Sequence, residues 1–125
     1  MIVLSKELVM MLHQELIEET GGSHGVKDES LLESALAAPF QSYQHQDLYP
    51  SVYQKAARLG FGLTCNHAFI DGNKRIGAHV MLVFLELNDI HISYSQNELS
   101  SIFLEIAAGV KGYEELLNWI ISHLV

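Results

Sequence analysis

The sequence predicts an all-α protein, a compact bundle of about six helices around a buried central one. Apolar residues recur at helical spacing along most of the chain, and the gaps between those stretches open on residues that cap helices. The stretch from Ile76 to Leu87 is apolar nearly all round, broken only by Gly77, His79 and Glu86, and a helix apolar on every side is buried on every side. A length of 125 residues suits one domain over residues 1–125, with no repeat, low-complexity tract or Gly/Ser/Pro-rich linker to divide it.

From Ser5 as N-cap, Leu8, Val9, Leu12, Leu16 and Ile17 mark the apolar face of a first helix, which ends where Gly21-Gly22 can supply a left-handed C-cap. Asp28 caps a short second helix, with Glu29 in its first turn and Leu31, Leu32, Ala35 and Leu36 ahead of Pro39. Residues 40–50, FQSYQHQDLYP, hold three aromatic side chains but no helical period, and read as an ordered surface loop that could lie over a site. Pro50 or Ser51 opens a third helix carrying Val52, Ala56, Leu59 and Leu63 up to Asn66. Gly60 and Gly62 each weaken that helix by about 1 kcal/mol relative to Ala, which points to close packing against a neighbour. The central helix ends at Asn88-Asp89, after which Ile90 to Tyr94 alternates weakly and is a candidate to pair with Ile2 to Leu4 as one short two-stranded ribbon. Ser95 and Glu98 form a capping box for a fifth helix carrying Leu99, Ile102, Phe103 and Ile106. Gly109 to Gly112 breaks the chain before a last helix, Tyr113 to Leu124, with Leu116, Leu117, Ile120 and Leu124 inward.

Charge and composition narrow the function classes. Seven Lys and Arg against fifteen Asp and Glu give a formal charge of -8, which repels a nucleic-acid backbone and excludes direct nucleic-acid binding as an expectation. The longest unbroken apolar run, Val80 to Leu85, is far short of the ~20 residues a membrane span needs. The N-terminus meets Lys6 and Glu7 after a few apolar residues, unlike a secretory signal, so a cytoplasmic location is expected. Cys65 is the single cysteine, so neither an internal disulfide nor a thiolate zinc cluster can form within the chain, and a reducing compartment fits.

One stretch concentrates polar chemistry: Asn66-His67-Ala68-Phe69-Ile70-Asp71-Gly72-Asn73-Lys74-Arg75, between the third helix and the central one. A glycine-containing turn entering a helix N-terminus leaves backbone N–H groups without intrahelical acceptors, and the helix dipole adds about half a positive charge there. Gly72 and Asn73 permit the positive φ from which such N–H groups converge on an anion. Lys74 and Arg75 fall in the first turn, where cations are disfavoured, so an anionic ligand is expected to offset them; two solvated cations are the plain alternative. As a histidine, His67 can take a proton from a hydroxyl. An ionised Asp71 is a hard oxygen ligand for Mg2+, which typically bridges to substrate phosphates. Phe69 and Ile70 read as core anchors of the loop. A base, a metal ligand, an anion nest and cations together suit phosphoryl or nucleotidyl transfer.

The run HAFIDGNKR resembles the HxFx(D/E)(G/A)N(K/G)R signature of the Fic/Doc superfamily, and in particular its Doc (death-on-curing) branch. GGSHGVKDESLLESALAAP upstream and FLELN at the end of the central helix are also similar to Doc proteins, so the likeness extends over nearly the whole chain. It implies a Fic-type helical fold and a toxin of a type II toxin–antitoxin pair. Residue by residue, it implies His67 as general base, Asp71 as magnesium ligand, Gly72 and Asn73 as the anion hole, Lys74 and Arg75 as phosphate holders and Phe69 as the packing anchor. Adenylylating Fic enzymes have Gly where this chain has Lys74, and a second Arg where it has Ala78; both departures favour Doc. Gly72, by contrast, is shared with Fic enzymes where Doc proteins often have Ala. In Doc-like enzymes the lysine fills space needed by the phosphate chain, ATP lies reversed, and the γ-phosphate is transferred. The implied acceptor is a threonine of translation elongation factor Tu. The inhibitory [S/T]xxxE[G/N] helix of many Fic enzymes has no counterpart, since Ser101 and Glu105 are followed by Ile106. Restraint is then expected from an antitoxin segment folding into a groove near the site.

The expected activity is therefore a protein kinase toxin using ATP and Mg2+. The alternatives are an adenylyltransferase, a metal-dependent phosphohydrolase with His67 and Asp71 as ligands, and a non-catalytic module that holds an anion or a partner. The residues outside the stretch read plainly. His24 is a loop histidine, His79 a hydrogen-bonded core histidine, Arg58 a salt-bridge or phosphate contact, Cys65 a small buried residue and Trp119 core. His13, His45, His91 and His123 share no metal-ligand spacing and are assigned no role.

Overall fold

The computed structural model describes all residues from Met1 to Val125. Six α-helices follow one another: α1 (Lys6–Thr20), α2 (Glu29–Ala37), α3 (Val52–Cys65), α4 (Asn73–Leu87), α5 (Gln96–Ala107) and α6 (Tyr113–Ser122). A 3-10 turn, Ala38–Phe40, leads from α2 into a small antiparallel hairpin of β1 (Ser42–Tyr43) and β2 (Gln46–Asp47). No helix is long and apolar enough to cross a membrane.

The helix starts follow from local side-chain chemistry. Ser5 accepts from the Leu8 amide, Asp28 from Ser30 and Leu31, and Ser51 and Ser95 each close a reciprocal capping box with Gln54 and Glu98. α1 ends at Gly21, whose φ of 88° suits a glycine, although its ψ of 167° lies outside the left-handed helical cap expected there.

α3 and α4 form the most extensive helix pair, and α6, α2 and α5 pack around α3. The two central helices touch backbone to backbone. A methyl group on Gly77 would overlap the Thr64 hydroxyl and come within 2.9 Å of the Gly60 carbonyl oxygen, and one on Gly60 would meet Met81 at 3.2 Å. Gly60 is thus the close contact that its cost in helix propensity implied. Ala56, Leu63, Ile76, Val80, Phe84, Phe103 and Leu116 fill the core around this crossing.

Several expectations are corrected. The two-stranded ribbon does not join residues 2–4 to 90–94. It lies within residues 40–50, where Gln44 and His45 take left-handed φ values of 50° and 64° and turn the chain in two residues. Ile92 instead bridges to Leu124 near the C-terminus, and Ile2 exchanges hydrogen bonds with the Asn88 side chain. α4 is not buried all round: Lys74, His79, Glu86 and Leu87 are exposed and Leu82 and Val83 half-buried, because α5 stands away from this side and leaves a groove. His79 is consequently a surface residue lining that groove, not a core histidine. Ile70 is 57% exposed, so of these two residues only Phe69 is a core anchor of the loop. The last helix stops at Ser122, leaving Leu124 partly exposed, and Cys65 and Trp119 are half-buried.

Candidate active site

The site is the loop between α3 and α4. α3 ends at Asn66, whose side-chain amide donates to the Leu31 carbonyl at 3.1 Å. His67 follows in the left-handed region at φ 54°, uncommon for a residue with a side chain. Its imidazole is exposed and carries no intramolecular hydrogen bond, so both ring nitrogens are available to an incoming group.

The next residues are fixed from two sides. The amides of Lys27 and Asp28 both donate to the Ala68 carbonyl, at 2.8 and 3.1 Å, and Ile70 donates to Gly25. Phe69, 1% exposed, stacks on His13 of α1 with ring centroids 3.9 Å apart. Asn73 spends its side chain inside the loop: Oδ1 accepts from the Phe69 amide and Nδ2 donates to the Phe69 carbonyl, each at 3.0 Å. Its backbone N–H, not its carboxamide, is what remains to meet an anion.

Gly72 stands at the N-cap of α4 with φ 75° and ψ 21°, and a β-carbon there would lie 3.1 Å from Ile17 and 3.3 Å from the Arg75 guanidinium. The first backbone bond of α4 runs from Ile76 to the Gly72 carbonyl at 2.8 Å. The amides of Asn73, Lys74 and Arg75 therefore point out of the helix end with no intramolecular acceptor. The six residues Ile70 to Arg75 line a hollow of about 350 Å³ over this end.

Asp71 accepts from the Gly72 amide at 2.8 Å and the Ser23 amide at 3.1 Å, and its carboxylate lies 3.7 Å from Arg75. The Ser23 and Gly72 amides, with Arg75 adding to them, hold its carboxyl below the ordinary carboxylate range, so it is ionised at neutral pH. The Arg75 guanidinium also donates to the Thr20 hydroxyl and, at 2.8 Å, to the Gly21 carbonyl, which ties α4 to the end of α1. Lys74 is exposed and makes no ion pair. Gly22 leaves room for all this: a β-carbon there would sit 2.5 Å from the Asp71 carboxylate.

The chemistry of Asp71 would suit a magnesium ion. Asp71 is ionised, its side chain is 47% exposed, and its two oxygens have lone pairs beyond the two amides they accept from. No group of three or more His, Cys, Asp or Glu converges anywhere in the chain, so a metal caged by protein ligands, as the phosphohydrolase alternative needs, has no donor set.

Two further hollows flank the loop. One of about 470 Å³ runs between α1, α4 and α5, with Lys74 and Arg75 at one end and Ala78, His79, Leu82 and Leu99 along it. The other, of about 580 Å³, lies between α1 and residues 24–26 over His13 and Phe69, and offers neither lysine nor arginine. Three residues that shape the site, His13, Thr20 and Ser23, carry no local signal in the sequence. Their bonds to the loop span 48 to 58 residues of chain and leave no local pattern.

Toxin Doc of Mycolicibacterium smegmatis (strain ATCC 700084 / mc(2)155) is 38% identical over 73 residues, which cover 58% of this chain and 56% of the relative. The chain thus spans little more than half the length of that curated relative. The family described as "Fic/DOC family" matches residues 3–85, from before α1 almost to the end of α4 and across the whole loop, and this chain belongs to the Fic/DOC family.

Proposed function

We propose that this chain is a Doc-type toxin, a protein kinase that moves the γ-phosphate of ATP to a Ser or Thr hydroxyl of a target protein and is held in check by an antitoxin. The observation that carries the reading is Lys74, exposed and unpaired in the first turn of α4 beside three amides without acceptors. A cation at a positive helix end is unfavourable without an anion, and a phosphate chain supplies one.

In this reading the Asn73, Lys74 and Arg75 amides hold phosphate oxygens, and the Lys74 ammonium takes up charge that develops as the γ-phosphoryl group loosens. His67 accepts the proton of the target hydroxyl while that oxygen bonds to the γ-phosphorus. The bond from the γ-phosphorus to the β–γ bridging oxygen breaks, and ADP leaves with the electron pair. Asp71 would hold a magnesium ion, which neutralises phosphate charge when bound. Elongation factor Tu is the target implied by the likeness to Doc proteins. The groove beside Lys74 and Arg75 offers an antitoxin segment a surface adjoining the site, and no inhibitory motif in the chain itself competes for it.

The test is incubation with elongation factor Tu, magnesium and ATP labelled at either the α or the γ phosphate. Label from the γ position alone supports the kinase. Label from the α position alone rejects it in favour of adenylylation, and Lys74→Gly is the change expected to move the wild-type result in that direction. No label from either, with ATP bound, would leave the anion-binding module as the better reading.

A further inference from the structure

His13 is one of three polar or charged side chains in the core, 2% exposed on α1. A buried imidazole is costly unless its polar atoms are used, and this one uses Nε2 against the Asp71 carbonyl oxygen at 2.7 Å. A carbonyl only accepts, so Nε2 carries the proton. The ring plane is set by Phe69, stacked at 3.9 Å with 13° between planes. His13 is thus an N–H donor held in one orientation against this carbonyl.

The carbonyl it holds has another natural partner. In an α-helix the amide of residue i bonds the carbonyl of residue i−4, which for Arg75 is Asp71. Here the Asp71 oxygen faces α1, the first backbone bond of α4 starts one residue later, and the Arg75 amide has no intramolecular acceptor. The same peptide plane carries the Gly72 amide, which bonds the Asp71 carboxylate and so sets that group as well.

We propose that His13 is a positioning residue: its Nε2–H draws the Asp71 carbonyl away from α4, which keeps the Arg75 amide free for a phosphate and the Asp71 carboxylate turned towards the ligand. Without the donor, the Asp71 carbonyl can turn to the Arg75 amide, and α4 gains one backbone bond at the expense of the nest. The proposal rests on reading this loop as a phosphate site, and its ligand is the phosphate chain of a nucleotide.

Three variants separate this role from a general need for a polar or bulky side chain. His13→Gln places an N–H donor near the position of Nε2, His13→Asn stops short of it, and His13→Leu keeps the bulk without a donor. The measurements are ATP affinity by calorimetry with magnesium present, and hydrogen exchange at the Arg75 amide. Loss of one amide–phosphate bond predicts roughly 10- to 100-fold weaker ATP binding for His13→Asn and His13→Leu, with His13→Gln within about threefold of wild type. The Arg75 amide should exchange more slowly in the two weak variants than in ligand-free wild type, because it has gained an acceptor. Equal binding by the Gln and Asn variants, or unchanged exchange at Arg75, overturns the proposal while leaving the phosphate-site reading intact if wild type binds ATP. A wild type that binds neither ATP nor inorganic phosphate overturns both. Should His13→Leu fail to fold, the comparison of Gln with Asn decides.

Discussion

Gly77→Ala is the sharpest test of how the central helices meet. The new methyl would overlap the Thr64 hydroxyl and lie 2.9 Å from the Gly60 carbonyl oxygen and 3.2 Å from the Thr64 amide. The backbone atoms cannot yield locally, and the Thr64 hydroxyl donates to Gly60 at 2.8 Å in a site where Thr64 is 2% exposed. Forcing a methyl into a filled core costs about 1 to 3 kcal/mol, and displacing the Thr64 hydrogen bond adds about 1 kcal/mol. The higher helix propensity of Ala returns about 1 kcal/mol. The expected outcome is a net loss of about 1 to 3 kcal/mol, a fall in Tm of about 5 to 15 °C for a domain of this size. Thermal and urea unfolding followed by far-UV circular dichroism measure it. Thr64→Ala on the Gly77→Ala background should recover part of the loss, since it removes the overlapped hydroxyl. A Gly77→Ala protein as stable as wild type, or more so, would refute the contact and leave helix propensity as the only effect of the substitution.

The other predictions concern the site and its supports. His67→Asn, chosen because Asn tolerates the left-handed φ at that position, should lower label transfer by about 100- to 10,000-fold with Tm unmoved; transfer at the wild-type rate would remove His67 from the chemistry. Lys55, 5% exposed at its side chain, holds the hairpin through the Tyr49 carbonyl and, at 3.3 Å, the Asp47 carboxylate. Lys55→Met should cost about 1 to 3 kcal/mol in urea unfolding and speed proteolysis within residues 42–47, and unchanged cleavage there would count against the anchor. His123 places Nε2 2.8 Å from Glu98 and Nδ1 2.7 Å from the Trp119 carbonyl, two acceptors that call for the doubly protonated ring. Glu98 raises the His123 pKa above 6.5, so that contribution is full below 6.5 and is lost as pH climbs through the raised value. The bond to His123 holds Glu98 down to about 2, so its contribution is full above 4.5 and is lost as pH falls towards 2. Tm should therefore peak between about 4.5 and 6.5 from this pair, and His123→Leu should flatten the alkaline side; an identical alkaline profile in the variant would contradict the pairing.

The helices were legible because their signals are short-range. Ser5, Asp28, Ser51 and Ser95 cap through bonds that reach two or three residues, and apolar periodicity needs no tertiary information. The hairpin was not, because Gln44 and His45 adopt left-handed geometry without the Asn or Gly that would advertise it. The exposure of His79 was hidden for a different reason: α4 is apolar enough to be surrounded, and only the stance of α5 leaves one side open. At the site, the loop residues and the helix end could be read from HAFIDGNKR. The division of labour within it could not. Asn73 turns its side chain inward, and Arg75 is tied to Thr20 and Gly21, contacts made only once α1 lies across the loop.

That bracing limits how the site can be regulated. Between Ala68 and Asn73 the loop is tied by the Lys27 and Asp28 amides, by both bonds of Asn73 to Phe69 and by the donor on α1, so it has few loose degrees of freedom to exploit. An inhibitor that worked by bending the loop would have to break several of these bonds together. One that simply lies over the exposed His67 ring and the open end of α4 breaks none of them. Under the proposed function, an antitoxin that acted by shielding this end of α4 would leave the bracing bonds in place, and its release would call for no refolding step.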